Sequence, residues 1–219
     1  LFDQHPPSVG IGDGEMYLGS DALALAPLTR RICYLEEGDW AEITRAGAVI
    51  HDELGKVVER EIRVTAAAGA DAGKGNFAHF MLKEIYEQPA VIGDTLSALL
   101  DPLNRTVALP DLSVDPAAAS KLTLVACGKT YYAAMVARYW VERLARVPVE
   151  VDIGSEFRYR DAPLPDGGLA LFVSQSGETA DTLAAMRYAK EHGQATIALI
   201  NVAESTMARE ADAVLLTCA

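Results

Sequence analysis

A chain of 219 residues that is 50% apolar can bury one large core or two small ones, so a soluble globular protein is expected. Its formal charge of −12, from 31 acidic against 19 basic residues, argues against a broad nucleic-acid or anionic-membrane surface, because both partners are polyanions. No basic, apolar leader opens it and no apolar run approaches the ~20 residues that span a bilayer, so a cytoplasmic location is expected.

In chain order, 10–64 reads as β-rich. GEMYLGS, RICYLEE, WAEITR, AGAVIHDE and KVVEREIRV are short, partly alternating and punctuated by Gly or Asp, which predicts the rim of an antiparallel sheet. Leu54-Gly55 is a candidate hairpin turn, and Ser20 or Asp21 could cap a short helix over ALALAPLTR. The stretch 65–76 is Gly/Ala-rich with almost no large apolar side chain, so it reads as a linker near a domain boundary. Residues 77–105 read as helical connectors that Pro89 interrupts.

From Leu122 the rhythm changes. LTLVAC, VPVEVDI, LALFVSQ, ATIALIN and AVLLTC are continuous apolar runs, five strands buried on both faces, separated by helical patterns over 130–146, 180–192 and 204–210. Such alternation predicts an α/β fold with a parallel sheet and right-handed crossovers, whose ligands sit outside the carboxyl ends of the strands.

Two turns fall at that edge. SQSGET, 174–179, joins the third of these strands to a helix and places Ser174, Ser176 and Thr179 hydroxyls, the Gln175 amide and Gly177 where a helix N-terminus favours an anion. The plainer reading is a capped turn with Ser176 or Thr179 as N-cap. CGKT, 127–130, ends the first strand, and the spacing G-x-x-x-x-G-K-[ST] fails because Thr123 stands where the first glycine would be. Lys129 there opposes the helix dipole by ~0.3–1 kcal/mol, a sign that an anionic ligand reverses; its alternative is an exposed lysine in water.

Other candidates read as structural. GIGDGE, 10–15, is a turn before a strand, and Tyr139 and Trp140 lie on a helical stripe expected in the core. Cys127 reads as a packing thiol. Cys33, Cys127 and Cys218 are widely spaced, which suits reduced thiols, and His5, His51, His79 and His192 lack i, i+4 partners, so no metal and no cofactor is expected.

HFMLKEIYEQP, CGKTYYAAMVARYW, SEFRYR and SQSGETADTLAAMR, in this order, resemble the glucosamine-6-phosphate synthases, the glutamine:fructose-6-phosphate amidotransferase family, and the likeness covers nearly the whole chain. It implies that 1–70 is the β-rich C-terminal part of an N-terminal-nucleophile (type 2 amidotransferase) glutaminase domain, 71–112 an interdomain linker with helices, and 113–219 a first sugar isomerase (SIS) domain, five-stranded, parallel and flavodoxin-like. Since the chain starts at Leu1 and stops after DAVLLTCA, it is expected to be a piece of a longer protein.

The resemblance further implies that Ser174, Gln175, Ser176 and Thr179 bind the phosphate of fructose 6-phosphate or a related hexose phosphate, and that Lys129 and Thr130 belong to the sugar site. The family pattern at the first turn is Cys-Gly-Thr-Ser, so Lys129 departs from it, and Lys129→Thr is expected to alter sugar contacts more than phosphate contacts. The family's N-terminal cysteine nucleophile has no counterpart here, Cys33 lying within a strand-like segment. Its Schiff-base lysine and acid-base groups come from a second SIS half, so no catalytic residue is expected in this chain and homodimers are implied. The competing reading is a non-catalytic SIS-type module that binds sugar phosphates.

Overall fold

The computed structural model describes residues 7–19, 22–65, 74–110 and 112–218. They fall into two compact units, divided between Asn76 and Phe77.

In the first unit, strands β1 (Ser8–Ile11), β2 (Met16–Gly19), β3 (Arg31–Tyr34) and β7 (Ile62–Val64) form an antiparallel sheet of order β2-β1-β3-β7, with helix α1 (Ala22–Leu25) after β2. Strands β4 (Trp40–Thr44), β5 (Gly47–His51) and β6 (Val57–Val58) form a second antiparallel sheet. Two sheets thus replace the one expected. KVVEREIRV is not one strand: Val57 and Val58 pair with β5, whereas 62–64 pair with β3, so the chain changes sheets at 59–61. Gly10 and Ile11 belong to β1 rather than to a turn, and the turn itself is 12–15, closed by the Gly12 N–H donating to the Glu15 carbonyl.

The expected hairpin at Leu54-Gly55 does join β5 to β6. Gly55 adopts φ +77°, and the Asp52 carboxylate accepts from the N–H groups of Leu54 and Lys56. The expected helix caps Ser20 and Asp21, and linker residues 66–73, lie outside the described residues. Val9, Cys33, Leu35 and Ile50 form one core cluster of this unit, and Ala22, Leu25 and Ile32 form another. Across it, Arg60 donates two hydrogen bonds to Asp39, at 2.8 and 2.9 Å, tying the turn before β4 to the sheet-changing segment.

The second unit opens with α2 (Phe80–Leu99), which runs through Pro89 instead of stopping there. A proline inside a helix forfeits one i→i−4 bond and crowds the preceding turn, here at Ile85, and the remaining bonds of a 20-residue helix carry it across. A short hairpin, β8 (Leu100–Asp101) with β9 (Thr106–Val107), follows, then a 3-10 turn at Pro116–Ala118.

Five parallel strands follow: β10 (Leu122–Ala126), β11 (Val149–Ile153), β12 (Leu169–Ser174), β13 (Ala195–Ile200) and β14 (Ala213–Leu216), in the order β11-β10-β12-β13-β14. This is the expected flavodoxin-like sheet. Its helices are α3 (Lys129–Leu144), α5 (Ala180–Glu191) and α6 (Thr206–Glu210), with a one-turn helix α4 (Gly154–Phe157) that the sequence pattern did not signal.

Alternation along the strands sorts the core into two layers. Val125, Ala170, Phe172, Ala198 and Ile200 face Phe157 of α4, Leu183 and Met186 of α5, and Met207 of α6. Leu124, Val149 and Leu171 face Ala134, Ala137 and Val141 of α3. That register decides Tyr139 and Trp140, which the sequence reading placed in the core. With the 134/137/141 stripe against the sheet, both point away and are 71% and 65% exposed.

The Arg60 hydrogen bonds hold the Asp39 carboxyl below its usual value despite burial, so the unfolded chain takes up that proton first. The contribution of this pair to stability is complete above about pH 4, the ordinary carboxylate value, and is lost as pH falls through the lower folded-state value. Urea denaturation at successive pH values, followed by Trp40 fluorescence in a Trp140→Phe background, should show a loss below about pH 4 that Asp39→Asn flattens. Parallel curves for the two proteins would remove this role for Asp39.

Candidate functional site

The order of the parallel sheet reverses between β10 and β12, which lie side by side with Ala126 opposite Val173. From β10 the chain crosses to β11 on one side through α3, and from β12 it crosses to β13 on the other through α5. The N-termini of both helices therefore flank one crevice at the carboxyl edge, where ligands of this architecture sit.

Cys127 and Gly128 make the first turn. Gly128 has φ +58° and ψ −129°, a conformation open essentially to glycine, and α3 starts directly after it. In the second turn Ser174, the last residue of β12, is 6% exposed and its Oγ accepts from the Gly177 N–H at 3.1 Å. The Ser176 Oγ accepts from the Glu178 N–H at 3.2 Å. Each serine accepts from a backbone donor and retains its own proton for another acceptor. The Thr179 hydroxyl lies 3.4 Å from that of Ser174. Thr179 occupies the N-cap position of α5, as the capped-turn reading has it, but its side chain makes no capping bond.

The turn is braced from behind. The Gln175 carbonyl accepts from Asn201 N–H, the Gly177 carbonyl from Met207 N–H, and the Glu178 carboxylate from Thr206 N–H at 2.7 Å. The last bond sets the Glu178 charge at the start of α6, outside the pocket lining.

A pocket of about 200 Å³ lies between the two turns, and all six residues singled out from the sequence line it: Lys129, Thr130, Ser174, Gln175, Ser176 and Thr179. Thr130 is already committed as a donor, its hydroxyl bonding the Cys127 carbonyl at 2.7 Å. Cys127, Val173 and Thr182 complete the lining. The sequence reading missed these three. Thr182 was signalled by its i+3 spacing from Thr179, and Cys127, read as a packing thiol, is only half-buried and accepts a 3.5 Å contact from the Thr182 hydroxyl. No carboxylate lines the pocket, in a chain of formal charge −12. Hydroxyl and amide donors, two helix N-termini and one ammonium group make a cradle suited to an anion. Among the described residues, no group of three or more His, Cys, Asp or Glu side chains is placed to hold a metal ion.

Residues 117–219, which carry the parallel sheet, match the SIS domain family. The chain is similar to proteins named glutamine–fructose-6-phosphate aminotransferase (isomerizing). It is 57% identical over 212 residues to the Zymomonas mobilis member, covering 97% of this chain and 35% of that protein. It is 54% identical to a Bradyrhizobium diazoefficiens member, covering 98% and 35%. The chain thus spans about a third of the length of these relatives. Among solved structures, the C-terminal domain of glucosamine-fructose-6-phosphate aminotransferase from Francisella tularensis matches with a TM-score of 0.61 at 41% identity, over 67% of this chain and 41% of that one. Glucosamine-6-phosphate deaminase from Thermotoga maritima matches at 0.51 and 25% identity, over 62% and 39%.

Gly177 couples this turn to α6. It has φ +67°, and a Cβ there would lie 2.1 Å from the Ser205 hydroxyl oxygen. Gly177→Ala should therefore destabilise the protein by about 2–5 kcal/mol in chemical denaturation, from left-handed strain plus overpacking. Gly193→Ala, at φ +74° with open space around it, should lose only about 1 kcal/mol. Equal losses would show that the close approach to Ser205 carries no weight.

Proposed function

We propose that the pocket binds the phosphate of a hexose 6-phosphate, with fructose 6-phosphate as the substrate of the whole protein. The observation that carries this is the convergence of the Ser174, Ser176 and Thr179 hydroxyls with the N-terminus of α5 in one pocket without carboxylates, in a chain whose relatives are named for fructose 6-phosphate. A dianion there meets the positive end of the helix dipole and hydroxyl protons turned outward by the backbone bonds each serine accepts. Gln175 and Lys129 add donors at the rim, while Thr130 can accept from a sugar hydroxyl without breaking its bond to Cys127.

In this reading the longer protein makes glucosamine 6-phosphate from fructose 6-phosphate and glutamine in the cytoplasm. Residues 1–70 are the end of its glutaminase domain, 71–112 the joining segment, and 113–219 the first SIS domain, which supplies part of the sugar-phosphate site and neither reacting centre. Self-association into a homodimer belongs to the same proposal. It is supported by the apolar side chains that α3 leaves exposed, Tyr132, Val136, Tyr139, Trp140 and Leu144. Sedimentation at rising concentration tests it, and a chain monomeric at every concentration would count against it.

Titration of fructose 6-phosphate into isotope-labelled protein should shift the amides of 174–179, whereas fructose should not. Ser176→Ala or Thr179→Ala should weaken binding by about 1.5–3 kcal/mol, the range for a hydrogen bond to a charged group. Undisturbed amides at millimolar sugar phosphate, or equal shifts with fructose, would reduce the turn to a structural corner. The pure chain should neither hydrolyse glutamine nor convert fructose 6-phosphate, and measurable turnover of either would place a reacting centre within it.

A further inference from the structure

We infer that Lys129 is the charge partner of the ligand's phosphate, so that one pocket reads the anion from both turns, α3 supplying the ammonium and α5 the hydroxyls. This rests on the phosphate-site reading above and goes beyond it, because it assigns to the first turn the part of the ligand that the sequence reading gave to the second.

Three observations carry it. First, Lys129 and the three hydroxyl residues line the same pocket of about 200 Å³. Second, Lys129 is the only charged side chain in that lining, it is exposed, and it makes no hydrogen bond or ion pair among the described residues, whereas the neighbouring carboxylates are engaged elsewhere, Glu178 with the Thr206 N–H and Asp181 with Arg158 at 3.8 Å. Third, Lys129 is the first residue of a 16-residue helix, the place where a cation opposes the dipole unless an anion sits in front of it.

Geometry allows the reach. At the first helical position the Cα–Cβ bond tilts toward the helix N-terminus, which here is the pocket side, and the ammonium rides on a flexible four-carbon stem. A compact point charge with three rotatable donors can follow a phosphate group whose other oxygens are held by the second turn. The free chain holds an uncompensated positive charge beside two helix N-termini, and a bound dianion neutralises all three.

The test compares the unaltered chain with Lys129→Met, Lys129→Arg and Ser176→Ala, titrating fructose 6-phosphate and fructose at about 0.02 M and about 0.5 M salt, since exposed charge pairs are screened over that range. Lys129→Met should weaken fructose 6-phosphate binding about tenfold or more at low salt, in line with the loss of one charge-assisted bond, and the deficit should shrink at high salt. Lys129→Arg should stay within about threefold, since charge rather than stem shape is required. If Ser176→Ala weakens binding but Lys129→Met does not, this inference fails and the phosphate site stands. An equal loss of fructose affinity in Lys129→Met would return the residue to the sugar and overturn the inference. If fructose 6-phosphate leaves the unaltered chain undisturbed, site and inference fall together.

Discussion

The arrangement depends on one topological constraint, the reversal of strand order between β10 and β12. Because a right-handed crossover leaves each of these neighbours in opposite directions, α3 and α5 pack on opposite faces of the sheet. Their N-termini cannot close over the strand ends and instead bound a gap. The candidate site is a property of the sheet before it is a property of any side chain.

What fills the gap is set by the layer beneath it. Phe157 and Phe172 meet edge to face and Phe157 meets Tyr188 in the same way, which anchors α4 and α5 on the face behind the second turn. Met207 and Ser205 hold α6 against Gly177, and Asn201 takes up the Gln175 carbonyl. A turn pinned at two backbone carbonyls and by the Glu178 carboxylate presents its hydroxyls in one geometry, so the loss of side-chain freedom on ligand binding is small. The contrast with the first turn is physical: Lys129 carries a long, exposed side chain with no partner among the described residues, and what it offers is charge rather than fixed shape.

The two faces of the sheet are finished unequally. The α5 face buries Leu183, Ala185, Met186 and Ala189 completely, whereas α3 buries only Ala134 and turns its aromatic residues outward. Helix α2 likewise has no buried residue among its 20. A chain spanning a third of its relatives' length carries these apolar surfaces together with the candidate anion pocket, which fits the proposal that further polypeptide completes the sugar site.

The sequence by itself determined the five-stranded parallel sheet, because unbroken apolar runs such as LTLVAC and LALFVS have only one stable environment, burial on both faces. It also determined which turns lie at the carboxyl edge, since strand and helix alternate there, and so the six candidate residues were legible as sequence neighbours of strand ends. Tertiary structure alone decided which helix face is buried: the stripe through Tyr139 and Trp140 is as apolar as the one through Ala134, Ala137 and Val141, and only the close approach of α3 to Leu124 and Leu171 selects the smaller residues. It decided that α2 continues through Pro89, because the cost of one missing bond is weighed against a whole helix. It divided KVVEREIRV between two sheets, a choice made by the partners β5 and β3, which are remote in sequence. It brought Cys127, Val173 and Thr182 to the pocket and bound the Thr130 proton to a carbonyl, because hydrogen-bond partners depend on where strand ends and helix starts come to rest, and local sequence does not carry those distances.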